Sequence, residues 1–298
     1  MESLITFFED IPTWLRATIL IGGIFLFWVM EGVIPLFRFQ YNKIRHAGIN
    51  LTFTLFTAII GFGLAGVLYF TSYWVAENEF GLLYLADLPL WAKIIIGVML
   101  LDFIGAWLVH WIEHKVKWMW KFHLIHHTDT TVDVTTGLRH HPGETVFRIF
   151  LTILGVFLIG VPIGIVMLYQ SLSVLFAHIT HANITMPKKV DDALSYVFVT
   201  PNMHKIHHHY TQPLTDTNYG NIFAIWDRIF GTYAEVDDIN TLTYGIDTHM
   251  DPEENDRLGN LLKIPFQEYR PPVGSKFYEE DEKRKADIPS KEKSEPRM

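Results

Sequence analysis

Fifteen histidines and no cysteine mark this chain, and most of the histidines recur at short spacings between residues 110 and 209. His110 and His114 are four residues apart, which on an α-helix puts both imidazoles on one face, one turn apart. That is a chelating geometry. His123, His126 and His127 form the pattern HxxHH, and His204, His207 and His208 repeat it, with His209 next in line. His178 and His181 end an apolar stretch three residues apart, and His140 and His141 fall between the clusters. Crowded imidazoles lose hydration and repel one another on protonation unless a cation lies among them. The expected metal ligands are therefore His110, His114, His123, His126, His127, His178, His181, His204, His207 and His208. Isolated His46 and His249 are expected to be ordinary hydrogen-bonded residues.

This supply exceeds what one ion uses, about four ligands for zinc and about five or six for non-haem iron. Two ions is the natural count. Absent cysteine excludes disulfides, iron–sulfur clusters and cysteine-rich zinc sites. Imidazole suits iron, zinc, copper or nickel, so softness leaves the metal open. His110-Trp-Ile-Glu-His114 also reads as HxxEH, the signature of a membrane zinc peptidase with Glu113 as general base. That alternative gives both HxxHH clusters no role. A non-catalytic membrane metal-binding protein is a further alternative, although transport sites usually lie within spans. In the dimetal reading Glu113 is a bystander whose loss is mild and His207 is essential; the peptidase reading reverses them.

The elements that position these residues are mostly apolar, as 49% hydrophobic composition implies. The run 14–37 is broken only by Arg16 and Glu31, 51–74 carries no charge, and 90–111 has only Lys93 and Asp102. A fourth run, 146–176, has only Arg148 and is split by Pro162 and Gly164. The expected fold is an all-α, multi-pass integral membrane protein with about four transmembrane elements, the last a helical hairpin. The acidic N-terminus (Glu2, Glu9, Asp10) does not resemble a cleavable signal, so the first helix should be retained. Lys43 and Arg45 follow the first span and Lys115, Lys117 and Lys121 the third, whereas Glu77, Glu79 and Asp87 occupy the intervening loop. By the positive-inside tendency, the histidine clusters face the cytoplasm. The net charge of -8 argues against a nucleic-acid partner. Residues 271–298, rich in Lys, Glu, Asp, Pro and Ser, are expected to be a disordered charged tail.

Taken together, HWIEH at 110–114, HLIHH at 123–127, HAN at 181–183, TPNMHKIHHHY at 200–210 and NYGNIFAIWDRIFGTY at 218–233 resemble the fatty acid hydroxylase / sterol desaturase superfamily. The likeness covers about 95–235 and is nearest to the bacterial sterol desaturase proteins and their alkylglycerol monooxygenase-like branch. It implies a cytosolic helical cap holding two irons against the membrane, with O2 as co-substrate and hydroxylation or desaturation of a sterol, fatty acyl or ether lipid as the reaction. By position it implies His110, His114, His123, His126, His127, His181, His204, His207 and His208 as ligands. It also implies an orienting role for Arg139, His141, Pro142 and Glu144, and makes Asp102 a carboxylate that holds an imidazole tautomer. Trp111 departs from the family, where Arg is common, and His178 and His209 have no assured counterpart. The expected division is 1–94 for N-terminal helices, 95–235 for the catalytic domain, 236–270 for an extension and 271–298 for the tail. Without cysteine or a nucleotide fingerprint, electrons are expected from a separate ferredoxin- or cytochrome-type donor.

Overall fold

Apolar stretches become long helices here wherever proline or glycine does not interrupt them. The computed structural model describes residues 1–287, and these are helical throughout, with only isolated β-bridges between loops. A short helix α1 (Glu2–Glu9) precedes α2 (Thr13–Val33), α3 (Lys43–Glu77) and α4 (Leu90–Lys115), whose middle turns Phe103–Leu108 are π-helical. Then come α5 (Lys117–His127), α6 (Pro142–Ile159), α7 (Ile163–His181), α8 (Lys188–Leu194), α9 (Pro201–His207) and α10 (Ile225–Ile229). Two single-turn helices, α11 (Pro252–Asn255) and α12 (Leu258–Leu261), lead to α13 (Lys276–Asp287).

Among the described residues five helices, α2, α3, α4, α6 and α7, are long and apolar enough to cross a membrane. The 21 residues of α2 extend ~31 Å at 1.5 Å per residue, matching a hydrocarbon core of about 30 Å. Their outward faces are apolar, with Phe25, Phe62 and Phe70 exposed. That surface makes the chain an integral membrane protein. The 146–176 run divides where its composition changes: Gly160 takes φ 78 after α6, and Pro162 precedes α7. Gly81 (φ 111) packs on Gly160 so closely that a Cβ would lie 2.4 Å from the Gly160 nitrogen. Only glycine fits this crossing.

Helices α4, α6 and α7 share an apolar core that includes Leu101, Val156, Ile159, Ile165 and Val166. A second core joins Phe53 of α3 to Trp120, Leu124 and Ile125 of α5 and to Leu261, Ile264 and Phe277. The expected disordered tail is therefore corrected in part. Phe277 is buried on α13, because a single aromatic anchor docks a helix that is otherwise charged. Residues 288–298 of that expectation lie outside the described residues.

Candidate metal centre

The C-terminal end of α4, α5, the end of α7 and α9 converge, and nine histidines meet there in two buried groups. His110, His114, His123, His127 and His207 form the first group, and His126, His181, His204 and His208 the second. Within each group one ring nitrogen per residue lies within 4.8 Å of all the others. The two HxxHH motifs serve the groups with opposite parity. In α5 the first and fifth positions, His123 and His127, join the first group and His126 the second; in α9 the outer pair His204 and His208 joins the second and His207 the first. Both helices thus carry ligands to both centres.

Hydrogen bonds fix which nitrogen is free. His110 Nδ1–H donates to the Tyr219 carbonyl (2.9 Å) and His207 Nδ1–H to the Thr217 carbonyl (2.6 Å). His114 Nδ1–H donates to Asp216 (3.0 Å) and His123 Nδ1–H to Glu144 (2.9 Å). A neutral imidazole protonated at Nδ1 leaves a bare lone pair at Nε2. The Nε2 atoms of His110 and His123 nevertheless face each other at 3.0 Å, and His127 Nε2 is 3.2 Å from that of His123. In the second group His181 donates Nδ1–H to the Ala177 carbonyl (2.8 Å) and turns Nε2 toward His126 (3.2 Å) and His204 (3.0 Å). Nε2 of His114 and His207 and both ring nitrogens of His208 are buried without partners. Facing lone pairs and orphaned nitrogens are costly alone and favourable around a cation, so the donor set fits two metal ions.

Burial and the neighbouring imidazoles push His123, His126, His127, His204, His207 and His208 well below the ordinary histidine range. They are neutral, the form that binds metal. Burial alone would raise the Asp216 carboxyl, yet its bonds to His114 and Lys115 hold it below the usual carboxylate range. It stays an anion behind its histidine.

The remaining expected residues surround this pair of centres. His178 joins neither group; it is buried against Gly23 of α2, with both ring nitrogens unpartnered. Asp102 touches no imidazole. Its carboxylate accepts from the backbone of Ile222 and Phe223 (both 3.1 Å) and from Trp226 Nε1 (3.2 Å), so it pins a loop rather than a tautomer. Asp227 does the same for Tyr219 and Gly220 (both 2.9 Å), which delivers the carbonyl that orients His110. The NYGN…WDRIFGTY block is this loop. Arg139 donates to the Ile125 carbonyl (3.1 Å), Thr128 (3.0 Å) and the Asn255 carbonyl, closing the end of α5. His141 caps α6 by accepting from Gly143 N (2.9 Å) and reaches neither group. His209 also lies outside both groups, its Nδ1 accepting from Thr243 N (3.3 Å). His46 bridges Asp129 (2.8 Å) and Asp133 (3.2 Å), and His249 pairs with Thr248 (2.8 Å).

Glu144, expected to orient the site, receives His123, His140 (2.8 Å) and Arg148 (2.9 Å) on one oxygen. Sequence reading missed two other partners. Tyr219 places its buried ring 5.1–5.6 Å from His110, His114 and His207. Glu113, expected to be a bystander, is fully buried and paired with Arg148. Removing it would take one of two carboxylates from Arg148, which keeps Glu144 (2.9 Å).

Residues 94–232 match the fatty acid hydroxylase family model. The chain is 28% identical over 145 residues to an ornithine lipid hydroxylase of Rhizobium tropici, covering 49% of this chain and 43% of that protein. It is 27% identical over 161 residues to the human alkylglycerol monooxygenase, covering 53% and 34%. It is 32% identical over 152 residues to methylsterol monooxygenase 2-2 of Arabidopsis thaliana, covering 49% and 55%. The chain thus spans about half or less of the length of these relatives. No solved structure matches it.

Proposed function

We propose, from the premise that this chain belongs to the fatty acid hydroxylase superfamily, that it is an O2-dependent lipid hydroxylase or desaturase with a histidine-held di-iron site. The observation that carries this reading is the pair of buried histidine groups with converging ring nitrogens. Nine imidazoles and no carboxylate or thiolate ligand suit two borderline ions, and the relatives are named as lipid hydroxylases and monooxygenases. Iron held there would supply O2 reduction, which no side chain performs. For hydroxylation the balance is one C–H bond, O2, two electrons and two protons giving C–OH and water. A separate redox protein of ferredoxin or cytochrome type provides the electrons. The chain's own residues exclude water from the two groups and hold the Nδ1 protons of His110, His207, His114, His123 and His181 on Tyr219, Thr217, Asp216, Glu144 and Ala177, which fixes those five rings. Residues 95–235 form the catalytic unit, on the cytoplasmic side, with 1–94 as its membrane base and 236–270 as an extension.

The zinc peptidase reading is weaker here. Glu113 is engaged by Arg148 and lies 3.5 Å from His123 Nδ1, the face turned away from the Nε2 cluster, so it is poorly placed to activate a metal-bound water. The test is metal content together with lipid product under 18O2. About two irons per chain and one labelled oxygen, or the loss of two hydrogens, support the proposal. Lipid oxidation persisting in His207→Ala, with Glu113→Gln inactive but folded and metal-loaded, would sink it.

A further inference from the structure

Beside the histidine groups, a surface outside the five long helices leaves large apolar side chains uncovered. Val190 (47% exposed) and Leu194 (41%) lie on α8, Tyr196 (69%) and Val197 (51%) follow it, and Ile229 (61%) and Phe230 (50%) end α10. They form one surface. Ala224 N donates to the Val197 carbonyl (3.0 Å), and Phe198 stacks on Phe223 (5.9 Å). Isolated exposed apolar residues need no explanation, but a contiguous set of this size marks a partner.

Continuity identifies the partner. Phe198 packs on Phe176 of α7 (5.5 Å), and Phe230 stacks on Trp107 (4.5 Å) and Phe103 (5.5 Å) of α4, so the surface extends two helices that are apolar enough to cross the bilayer. Its rim is polar and aromatic. The Arg228 guanidinium lies between Tyr196 (4.9 Å) and Tyr233 (3.9 Å), and Lys188 and Lys189 open α8, with Lys188 paired to Asp192. Aromatic rings with basic neighbours are the usual anchors where acyl chains give way to headgroups.

We propose that this face is seated in the acyl–headgroup boundary of the bilayer, and that its partner is lipid rather than another protein. Phe230 then separates lipid from Trp107, which stands 6.3 Å from Tyr219, itself 5.4 Å from His110. Lipid would come within two aromatic side chains of the residue that borders the first histidine group. The inference goes beyond the proposed chemistry and requires only that the long helices cross the membrane.

The cysteine-free sequence permits a direct test. Single cysteines Val197→Cys and Ile229→Cys, with Phe62→Cys on α3 (88% exposed) and Asn240→Cys in an exposed loop as references, are labelled with an environment-sensitive fluorophore. The full chain is placed in phosphatidylcholine vesicles and quenched by nitroxide lipids or by aqueous iodide. Labels at 197 and 229 should be quenched several-fold more by shallow nitroxide lipid than by iodide, between the deep 62 and aqueous 240 references. Iodide quenching equal to that at 240 would overturn the proposal. Protection from both quenchers, which a protein partner or a second copy would give, overturns it too. A label at 62 that iodide reaches would remove the membrane reading itself, and this inference with it.

Discussion

The two histidine groups share α5 and α9 yet are held in different ways. In the first, four of five imidazoles donate Nδ1–H to a fixed protein oxygen, and for His114 and His123 that oxygen belongs to a carboxylate. In the second, only His181 is anchored, while Nδ1 of His126, His204 and His208 has no partner. Anchoring fixes ring direction, and a carboxylate behind a histidine raises its basicity, so the first centre should hold its ion more tightly. The second has four imidazoles, three of them on rings that are freer to turn. Two groups of similar composition should thus acquire different metal affinities from residues outside the ligand set.

The strongest way to break this comparison uses adjacent residues. His207→Ala and His208→Ala should each lower lipid oxidation by about a hundredfold or more, because each removes a ligand. Their metal contents should differ. His208→Ala leaves the second group three imidazoles and should fall to about one ion per chain, whereas His207→Ala leaves the first group four and should retain close to two. The reverse order in elemental analysis would show that anchoring does not set affinity.

A smaller effect sharpens the same point. Asp216→Asn keeps the shape behind His114 but removes the anion, and should weaken the tighter site by about 10- to 100-fold while leaving the second unchanged. Competition with a chelator, followed ion by ion, measures it. Selective loss of the weaker ion would contradict the assignment.

The smallest expected effect should be common to both groups. His123, His126, His127, His204, His207 and His208 have folded pKa values below their unfolded value of 6.5. Above that pH neither state binds the protons and stability is flat. Below it the unfolded chain takes protons that the folded chain refuses, so stability falls as pH falls. Thermal unfolding of metal-stripped protein should therefore be level from about pH 8 to 7 and drop below about 6, by a few degrees or more. A stability that rises on acidification would mean that these imidazoles are not buried neutral.

Spacing made the histidine clusters legible because i, i+3 and i, i+4 separations are local properties of a helix, and nine of the ten histidines expected as ligands lie in the two groups. His178 shared that spacing but is buried against α2, which no local rule foresees. The division into two groups was hidden for a similar reason: it depends on how α5 and α9 face each other. Asp216 is 102 residues from His114, and Arg148 is 35 from Glu113, so neither pairing leaves a local trace. Asp102 had the right burial and the wrong task, since an acidic residue on a ligand helix does not reveal which neighbour it accepts from. The five long helices were readable from hydropathy, whereas α13 was not, because one phenylalanine outweighs a charged average.

The π-helical turns Phe103–Leu108 separate the apolar half of α4 from the half that carries His110 and His114. Such turns widen a helix by an inserted residue, and each residue of an α-helix advances the face by about 100°. The segment thus works as a phase spacer. Removing any one residue from it would leave hydropathy and every histidine in place yet rotate His110 and His114 away from α5 and α9. Variation by substitution is open to this stretch; variation in its length is not.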